Sequence, residues 1–464
     1  MDTDQLLREL QEIVGKENVT FADTLNPDDL HDESLHPTPR QPLAVVRPTN
    51  THEVSLIAKC ASAHDVPVTP RGSGTGLSGG ATPIAGGVVI SFSRMNAVLN
   101  VDVDDHVVTV QPGLTLRELN EALVDTGLYY PVYPGELSGS LGGNVNTNAG
   151  GMRAVRHGVT RQHVLGLELV LIDGTILRTG GSVVKSSSGY DLTQLIIGSE
   201  GTLALVTEIT LKLSPRLLHA ATILVPFSSL DNVTTIVPTI VSSGLAPSLL
   251  EYVDLAAMAG MVNSSDLELG IQEDVQLKTA AYLIILLETR TKMQLDQDLE
   301  DLATLLDDAG ALDVYVLPEH AASALIEARE RLFWVSKASG ANDILDVVVP
   351  RSKVPTFMND VRALAEEHGA YVGGCGHVGD GNVHLSVFLP DDEKRGILLQ
   401  ALFGAGIALG GAVSGEHGIG RDKQQAFLSF SSPQSLALQR SIKDVFDPGK
   451  LLNPYRLLDE RPLP

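Results

Sequence analysis

Two glycine-rich segments in the N-terminal part of the chain constrain its fold more than any other feature. The first is Pro70-Arg71-Gly72-Ser73-Gly74-Thr75-Gly76-Leu77-Ser78-Gly79-Gly80. The second runs from Pro134 to Gly151 through Ser138-Gly139-Ser140-Leu141-Gly142-Gly143-Asn144-Val145-Asn146-Thr147-Asn148-Ala149-Gly150. Glycines let backbone approach a ligand closely, and serine and asparagine add hydrogen-bonding groups with little bulk. Gly74, Gly76 and Gly79 satisfy the spacing GxGxxG. However, Pro67 and Pro70 interrupt the strand before it, and Gly79-Gly80-Ala81-Thr82-Pro83 stands where a helix should begin. A dinucleotide fingerprint needs that helix N-terminus for its pyrophosphate. The segment therefore reads as a loop nest of backbone N–H groups. Either segment alone would read as tight turns. Two in one half of the chain, joined by Gly198-Ser199-Glu200-Gly201-Thr202-Leu203, point to a large phosphate-bearing cofactor.

Composition narrows the class. The 464 residues suggest roughly two to four domains. An apolar content of 43% is enough to build cores and excludes disorder as the main state. A net charge of −24 repels nucleic acid and anionic membrane surfaces, so an anionic substrate needs locally placed cations. Cys60 and Cys375 are the only cysteines, which excludes a disulfide framework and a cysteine-rich metal module. No run is apolar enough to span a bilayer, and the acidic, amphipathic start lacks the regions of a signal peptide. The expected location is the cytoplasm, with peripheral attachment to a membrane left open.

Periodicity gives an α+β chain. Leu6, Leu7, Leu10, Ile13 and Val14 mark a first helix over residues 1–14. Asn50 opens a helix through Ala63, and Thr115-Leu-Arg-Glu118 is a capping box. Strand-like runs fall at Gly166–Ile172, Thr175–Arg178 and Gly201–Leu213. After Ser214-Pro215 the glycines thin out. Strand-like runs at Ala220–Val225, Ala281–Glu288, Leu345–Val349 and Val383–Leu389 then alternate with helical stretches at Gln294–Ala309, Glu319–Glu330, Val354–His368 and Asp392–Leu409. The division expected is 1–215, 216–415 and 416–464, the last segment reading as turns around Asp447-Pro448-Gly449 and Leu452-Asn453-Pro454.

A second constellation lies near the C-terminus. In Gly376-His377-Val378-Gly379-Asp380-Gly381-Asn382-Val383-His384, Asp-Gly is a strong two-residue hairpin signal. Such a hairpin would set His377 opposite His384 as a cross-strand pair suited to one metal ion. Isolated, the two histidines would read as ordinary sheet residues. Ser414-Gly415-Glu416-His417-Gly418-Ile419-Gly420 changes that weighting, because a Glu-His pair among glycines suits a reactive loop. Glu416 would complete two histidines and a carboxylate with an open position, a catalytic zinc pattern. Cys375 shares a face with His377 in a regular strand, so it is either a further thiolate ligand or, as its residue type favours, a buried, inert thiol.

The first loop, the SGSLGGNVNTNAGG stretch, Gly189-Tyr190-Asp191-Leu192 followed by GSEGTLALVTEITL, and the C-terminal motifs resemble the FAD-linked 2-hydroxy acid dehydrogenases. These include D-lactate dehydrogenases, the glycolate oxidase flavoprotein subunit and D-2-hydroxyglutarate dehydrogenases, within the vanillyl-alcohol-oxidase-like flavoproteins. The resemblance covers about residues 40–455. It implies a two-subdomain FAD-binding domain of vanillyl-alcohol-oxidase/PCMH type, an α+β cap domain, and a C-terminal segment returning to the FAD domain. FAD would contact Pro70, Arg71, Gly72, Ser73, Gly74, Thr75, Gly76, Leu77 and Ser78. It would also contact Pro134, Ser138, Gly139, Ser140, Gly142, Gly143, Asn144, Asn146, Ala149, Gly150, Glu200, Gly201, Val206 and Asn453. Some relatives link FAD through a histidine where this chain has Thr75, so the flavin is expected to be non-covalent. By the same resemblance His377, His384 and Glu416 hold a divalent metal, zinc favoured, and His417 is the base.

Oxidising a 2-hydroxy acid removes the hydroxyl proton and the Cα hydrogen. A divalent metal favours the alkoxide, a neutral histidine accepts the proton, and the hydride passes to the flavin. Arg329 aligns with the family's carboxylate-binding arginine; read on its own it is a solvated helix residue. Hydroxyglutarate-specific relatives carry a lysine where Ile344 aligns and an asparagine where Ser386 aligns. With Phe333 and Trp334 as apolar neighbours, the expectation is a short or apolar, lactate-like D-2-hydroxy acid, with Arg329 and Ser386 at the substrate. Electrons would pass to a separate acceptor: a quinone, a cytochrome, an electron-transfer flavoprotein or an iron–sulfur subunit. A homodimer is left open. The alternatives are a D-2-hydroxyglutarate or glycolate dehydrogenase, a metal-free flavin oxidase of another alcohol, or a non-catalytic flavin-carrying subunit.

Overall fold

Residues 3–21, 24–35, 37–265, 267–459 and 461 are described in a computed structural model of the chain. The first helix is Thr3–Val14; Met1 and Asp2 of the expected span lie outside the described residues. Its Leu6, Leu10 and Val14 share an apolar cluster with Val54, Ile57, Ala58 and Ala61 of the helix Thr51–Ala63. Asn50 caps that helix, its side chain accepting from Glu53 N at 3.0 Å. Both helices pack on a four-stranded sheet ordered Val19–Phe21, Ala44–Val46, Val88–Ser91, Val68–Arg71. Val68–Arg71 pairs in parallel with Val88–Ser91 and runs directly into the first glycine-rich loop. No helix follows the loop, as the proline and glycine content dictates.

A five-stranded antiparallel sheet follows, ordered Val98–Asp102, Val107–Val110, Leu205–Lys212, Val164–Val170, Ile176–Gly180. The capping box forms at Thr115, whose hydroxyl accepts from Glu118 N at 3.2 Å while the Glu118 carboxylate accepts from Thr115 N at 2.8 Å. The second glycine-rich segment differs from a plain loop, because Leu141–Thr147 is helical. Its composition is poor for a helix, so tertiary contacts must impose it. Leu141 and Val145 are buried in the core of this sheet. Gly142 approaches Pro112 so closely that a Cβ would lie 2.6 Å from the proline ring.

Beyond Pro215 the chain builds a seven-stranded antiparallel sheet. Its order is Tyr315–Leu317, His219–Phe227, Ala281–Thr289, Leu249–Asp254, Tyr371–Gly376, Asn382–Phe388, Asp343–Val348. The apolar run of Ala281–Thr289 is central and covered on both faces. Leu283, Ile285 and Leu287 join one apolar cluster, and Tyr282, Ile284 and Leu286 join another. The histidine hairpin departs from expectation. Cys375, not His377, stands opposite His384. The connection is not a two-residue Asp-Gly turn but runs from His377 to Gly381. Within it, the His377 carbonyl accepts from Asp380, Gly381 and Asn382 N–H at 3.1, 3.1 and 3.2 Å. The register shift is even, so His384 keeps the face that the alternation assigned to it.

The tail is not only turns. It contains helices Gln424–Phe430 and Pro433–Phe446. It then returns to the first sheet, where Leu452 bridges Val68 and Asn453 N donates to Val68 O at 2.7 Å. Among the described residues no helix is long and apolar enough to cross a membrane.

Candidate active site

The first glycine-rich loop and the 139–149 segment face each other across a cleft of about 1300 Å³. Ser73 and Ser140 tie them together, with Ser140 N donating to Ser73 Oγ at 3.0 Å and Ser73 N to Ser140 Oγ at 3.3 Å. Gly72 is required there: a Cβ would lie 2.0 Å from Ser140 Oγ. Pro70 through Ser78, Pro134, Gly139, Ser140, Gly142, Gly143, Asn144, Asn146, Ala149, Glu200, Gly201, Val206 and Asn453 line the cleft. Ser138 and Gly150 do not. Ser138 turns to the Glu136 carboxylate, and Gly150 lies against Glu416 and Val159. Arg71 donates to the Asp28 and His31 carbonyls, bracing the entry strand instead of standing free. Asn144 Nδ2 and Asn453 Oδ1 are buried without a protein partner. Thr147, Ala204 and Leu205, inside the glycine-rich motifs, also line the cleft, as do Phe92 and Pro112, which no local sequence signal marks.

A second cavity, about 890 Å³, adjoins the first and shares Thr75, Leu77, Pro134, Glu136, Glu416 and His417 with it. Here the histidine motif and the Glu-His loop converge. His377 Nε2 and His384 Nε2 lie 3.1 and 3.2 Å from Glu416 Oε1. The two rings are 4.8 Å apart, and His417 stacks on His384 at 4.9 Å. Burial would raise the Glu416 carboxyl, but the His377 charge and the hydrogen bonds of both histidines hold it below its ordinary range. Burial likewise opposes charge on His377, yet Glu251 and Glu416 outweigh it and lift its pKa well above the usual value. Two imidazole nitrogens and a carboxylate oxygen this close repel one another unless a proton or cation lies between them. The donor set, with Glu416 Oε2 buried and unpartnered, therefore fits a divalent ion.

Two carboxylates that the sequence reading missed hold this centre. Asp346, fully buried in Asp343–Val348, accepts from Ser414 Oγ at 2.6 Å, His417 N at 2.9 Å, Glu416 N at 3.2 Å and Lys423 Nζ at 3.2 Å. It lies 3.8 Å from both His384 Nδ1 and His417 Nδ1. Glu251, fully buried in Leu249–Asp254, lies 2.5 Å from His377 Nδ1 and 2.7 Å from Arg329 Nη2. The loop is also pinned to the cofactor half. Glu200 accepts from Ile419 and Gly420 N–H at 2.8 and 2.7 Å, and Ser78 Oγ donates to the His417 carbonyl at 3.1 Å. Burial pushes His417 down to about 4, Asp346 opposing the shift while Lys423 and His384 add to it. Its imidazole is therefore neutral at pH 7. A buried thiol is confirmed at Cys375, raised to about 12 mainly by burial.

Arg329, Ser386, Ile344, Phe333 and Trp334 all line the second cavity, with Ile344 directly across the sheet from Ser386. Arg329 is buried, not solvated, because Glu251 balances its charge.

Residues 42–180 match the family model described as "FAD binding domain", and residues 217–457 match "FAD linked oxidases, C-terminal domain". An uncharacterized FAD-linked oxidoreductase of Mycobacterium tuberculosis is 50% identical over 97% of this chain and 98% of its own. A D-lactate dehydrogenase of Anaerostipes hadrus is 34% identical over 98% of this chain and 97% of its own. A D-2-hydroxyglutarate dehydrogenase of Stutzerimonas stutzeri is 31% identical over 97% of this chain and 98% of its own. The structure of p-cresol methylhydroxylase superposes with a TM-score of 0.81 at 17% identity, covering 98% of this chain and 96% of the other. The fold is thus a PCMH-type FAD-binding domain with a C-terminal α+β domain, and the glycine-lined walls and buried, unpartnered amides of the first cleft fit FAD. The chain belongs to the FAD-linked oxidoreductase family of the D-lactate, D-2-hydroxyglutarate and glycolate dehydrogenases.

Proposed function

We propose that this protein oxidises a D-2-hydroxy acid to the 2-oxo acid and passes the electrons to a separate acceptor. One observation carries the reading. His377 Nε2 and His384 Nε2 both lie within 3.2 Å of Glu416 Oε1, beside His417, where the FAD cleft meets a cavity containing a buried arginine. A metal-free oxidase would have no use for that donor set.

Each residue has a role in this reading. His377, His384 and Glu416 would hold a divalent ion, and two nitrogens with one oxygen favour zinc. Such an ion, when bound, acidifies a hydroxyl held next to it. His417, neutral because it is buried, takes the hydroxyl proton. Arg329 keeps its Nε without a protein partner and offers it to the substrate carboxylate. FAD, when bound, accepts the hydride, and the first glycine-rich loop, the 139–149 segment and Asn453 hold it. Residues 1–215 would thus serve the cofactor, 216–415 the substrate and ion, and 416–464 would close both sites.

The lining favours a monocarboxylate. Arg329 is the one arginine or lysine among the described residues lining the cavity, against Glu33, Glu136 and Glu330. Ile344 and Ser386 offer a second carboxylate no charge. A lost hydrogen bond to a charged group is worth ~1.5–3 kcal/mol. Steady-state kinetics should therefore give D-2-hydroxyglutarate a kcat/KM roughly 10²-fold below that of D-lactate. Equal or better use of hydroxyglutarate would overturn the monocarboxylate assignment while leaving the reaction type intact.

A further inference from the structure

Glu251 is a single acid in an otherwise apolar stretch, Leu249-Leu250-Glu251-Tyr252-Val253, of a central strand. It has no exposure at all. A carboxylate taken out of water needs compensating partners, and this one has two, on different elements. Oε1 lies 2.5 Å from His377 Nδ1 in the hairpin connection. Oε2 lies 2.7 Å from Arg329 Nη2 on the helix Glu319–Glu330. The first contact fixes the ring of His377. With Nδ1–H directed at a carboxylate, Nε2 would be left to ligate an ion shared with Glu416 Oε1, 3.1 Å away, and the ring would become a better ligand. The second contact, an ion pair without hydrogen-bond alignment, balances the charge of the guanidinium and holds it beside Glu251, leaving Nε and Nη2 without hydrogen-bond partners.

We infer that Glu251 is the positioning residue that sets ion ligation and substrate-carboxylate binding as one rigid unit. This rests on the reading of the site as a metal-assisted 2-hydroxy acid dehydrogenase. A 2-hydroxy acid carries its hydroxyl and its carboxylate on adjacent carbons. The groups that receive them must therefore keep a fixed separation. One carboxylate gripping both His377 and Arg329 supplies that constraint, which two independent supports would leave loose.

The test uses the purified FAD-loaded protein and two titrations that do not depend on turnover. Zinc affinity is read by competition with a chromophoric chelator. Carboxylate affinity is read from the change in flavin absorbance on adding pyruvate at saturating zinc. Glu251→Gln should weaken zinc binding 10- to 100-fold and also weaken pyruvate binding at least 10-fold, with FAD content unchanged. In an Arg329→Gln background, pyruvate affinity is already lost. Glu251→Gln should then add little to that loss while still weakening zinc by the full factor. Glu251→Asp keeps the charge but retracts it by one methylene. It should weaken zinc about 10-fold, and it carries the test if the glutamine variant does not fold. A variant that binds zinc and pyruvate as tightly as wild type overturns the inference, as does loss of FAD without a specific change in either affinity. Failure of the wild-type protein itself to bind zinc would instead overturn the reading of the site.

Discussion

His384→Ala should leave a yellow protein that has lost its divalent ion and its dehydrogenase activity. His384 sits in the strand Asn382–Phe388 and lines the second cavity, not the FAD cleft. Its removal takes away one of the three proposed ligands and leaves Glu416 Oε1 with His377 alone. A Lewis acid contributes several kcal/mol to such chemistry, so activity should fall by roughly 10³-fold or more. Flavin absorbance and metal analysis on the same sample measure the two outcomes together. FAD and metal lost in equal measure would mean that the two sites are not separable. Chelation of the wild-type protein should reproduce the variant, and added zinc or manganese should reverse the chelation.

The second large effect is expected at His417. Its backbone is held independently of its ring, by Asp346 at the N–H and by Ser78 at the carbonyl. His417→Asn should therefore keep the loop, the ion and FAD. What it removes is a neutral imidazole at the junction of the two cavities. Loss of a general base lowers a rate by roughly 10²–10⁴-fold. Stopped-flow flavin reduction should slow by that factor while the substrate dissociation constant changes far less. Reduction at near wild-type rate with full metal content would remove His417 from the proton-transfer role.

Much of this architecture is legible in local chemistry. Asn50 and Thr115 start helices because their side chains satisfy free N–H groups, and the sequence states this outright. The central strand Ala281–Thr289 announces itself by an apolar run that only a two-faced burial can use. Hidden features depend on distant contacts. The helix Leu141–Thr147 has two glycines and two asparagines, and packing against Pro112 imposes what propensity opposes. The hairpin register departs from the Asp-Gly expectation, and His377, outside the strand, meets Glu251, a partner more than a hundred residues earlier. The tail helix Pro433–Phe446 shows no strong apolar stripe because Leu436 is its one buried residue.

The same division holds at the site. His377, His384, Glu416 and His417 stand out because two histidines and a Glu-His pair among glycines have little structural use. Glu251 and Asp346 do not stand out by motif. They carried a quieter signal, a lone carboxylate inside an apolar strand segment, which cannot be buried without a charged or donor partner. Arg329 read as a solvated helix residue for the converse reason, since the carboxylate that neutralises it lies on another element.

Anaerobic flavin reduction decides whether a D-2-hydroxy acid is oxidised at one site by FAD with an ion held on His377, His384 and Glu416. The FAD-loaded protein is mixed with D-lactate or L-lactate, before and after chelation and again after zinc is restored, while flavin absorbance is followed. D-lactate should bleach the flavin and L-lactate should do so little, with no bleaching after chelation and recovery with zinc. Undiminished bleaching by D-lactate in the chelated, metal-free protein would contradict that assignment.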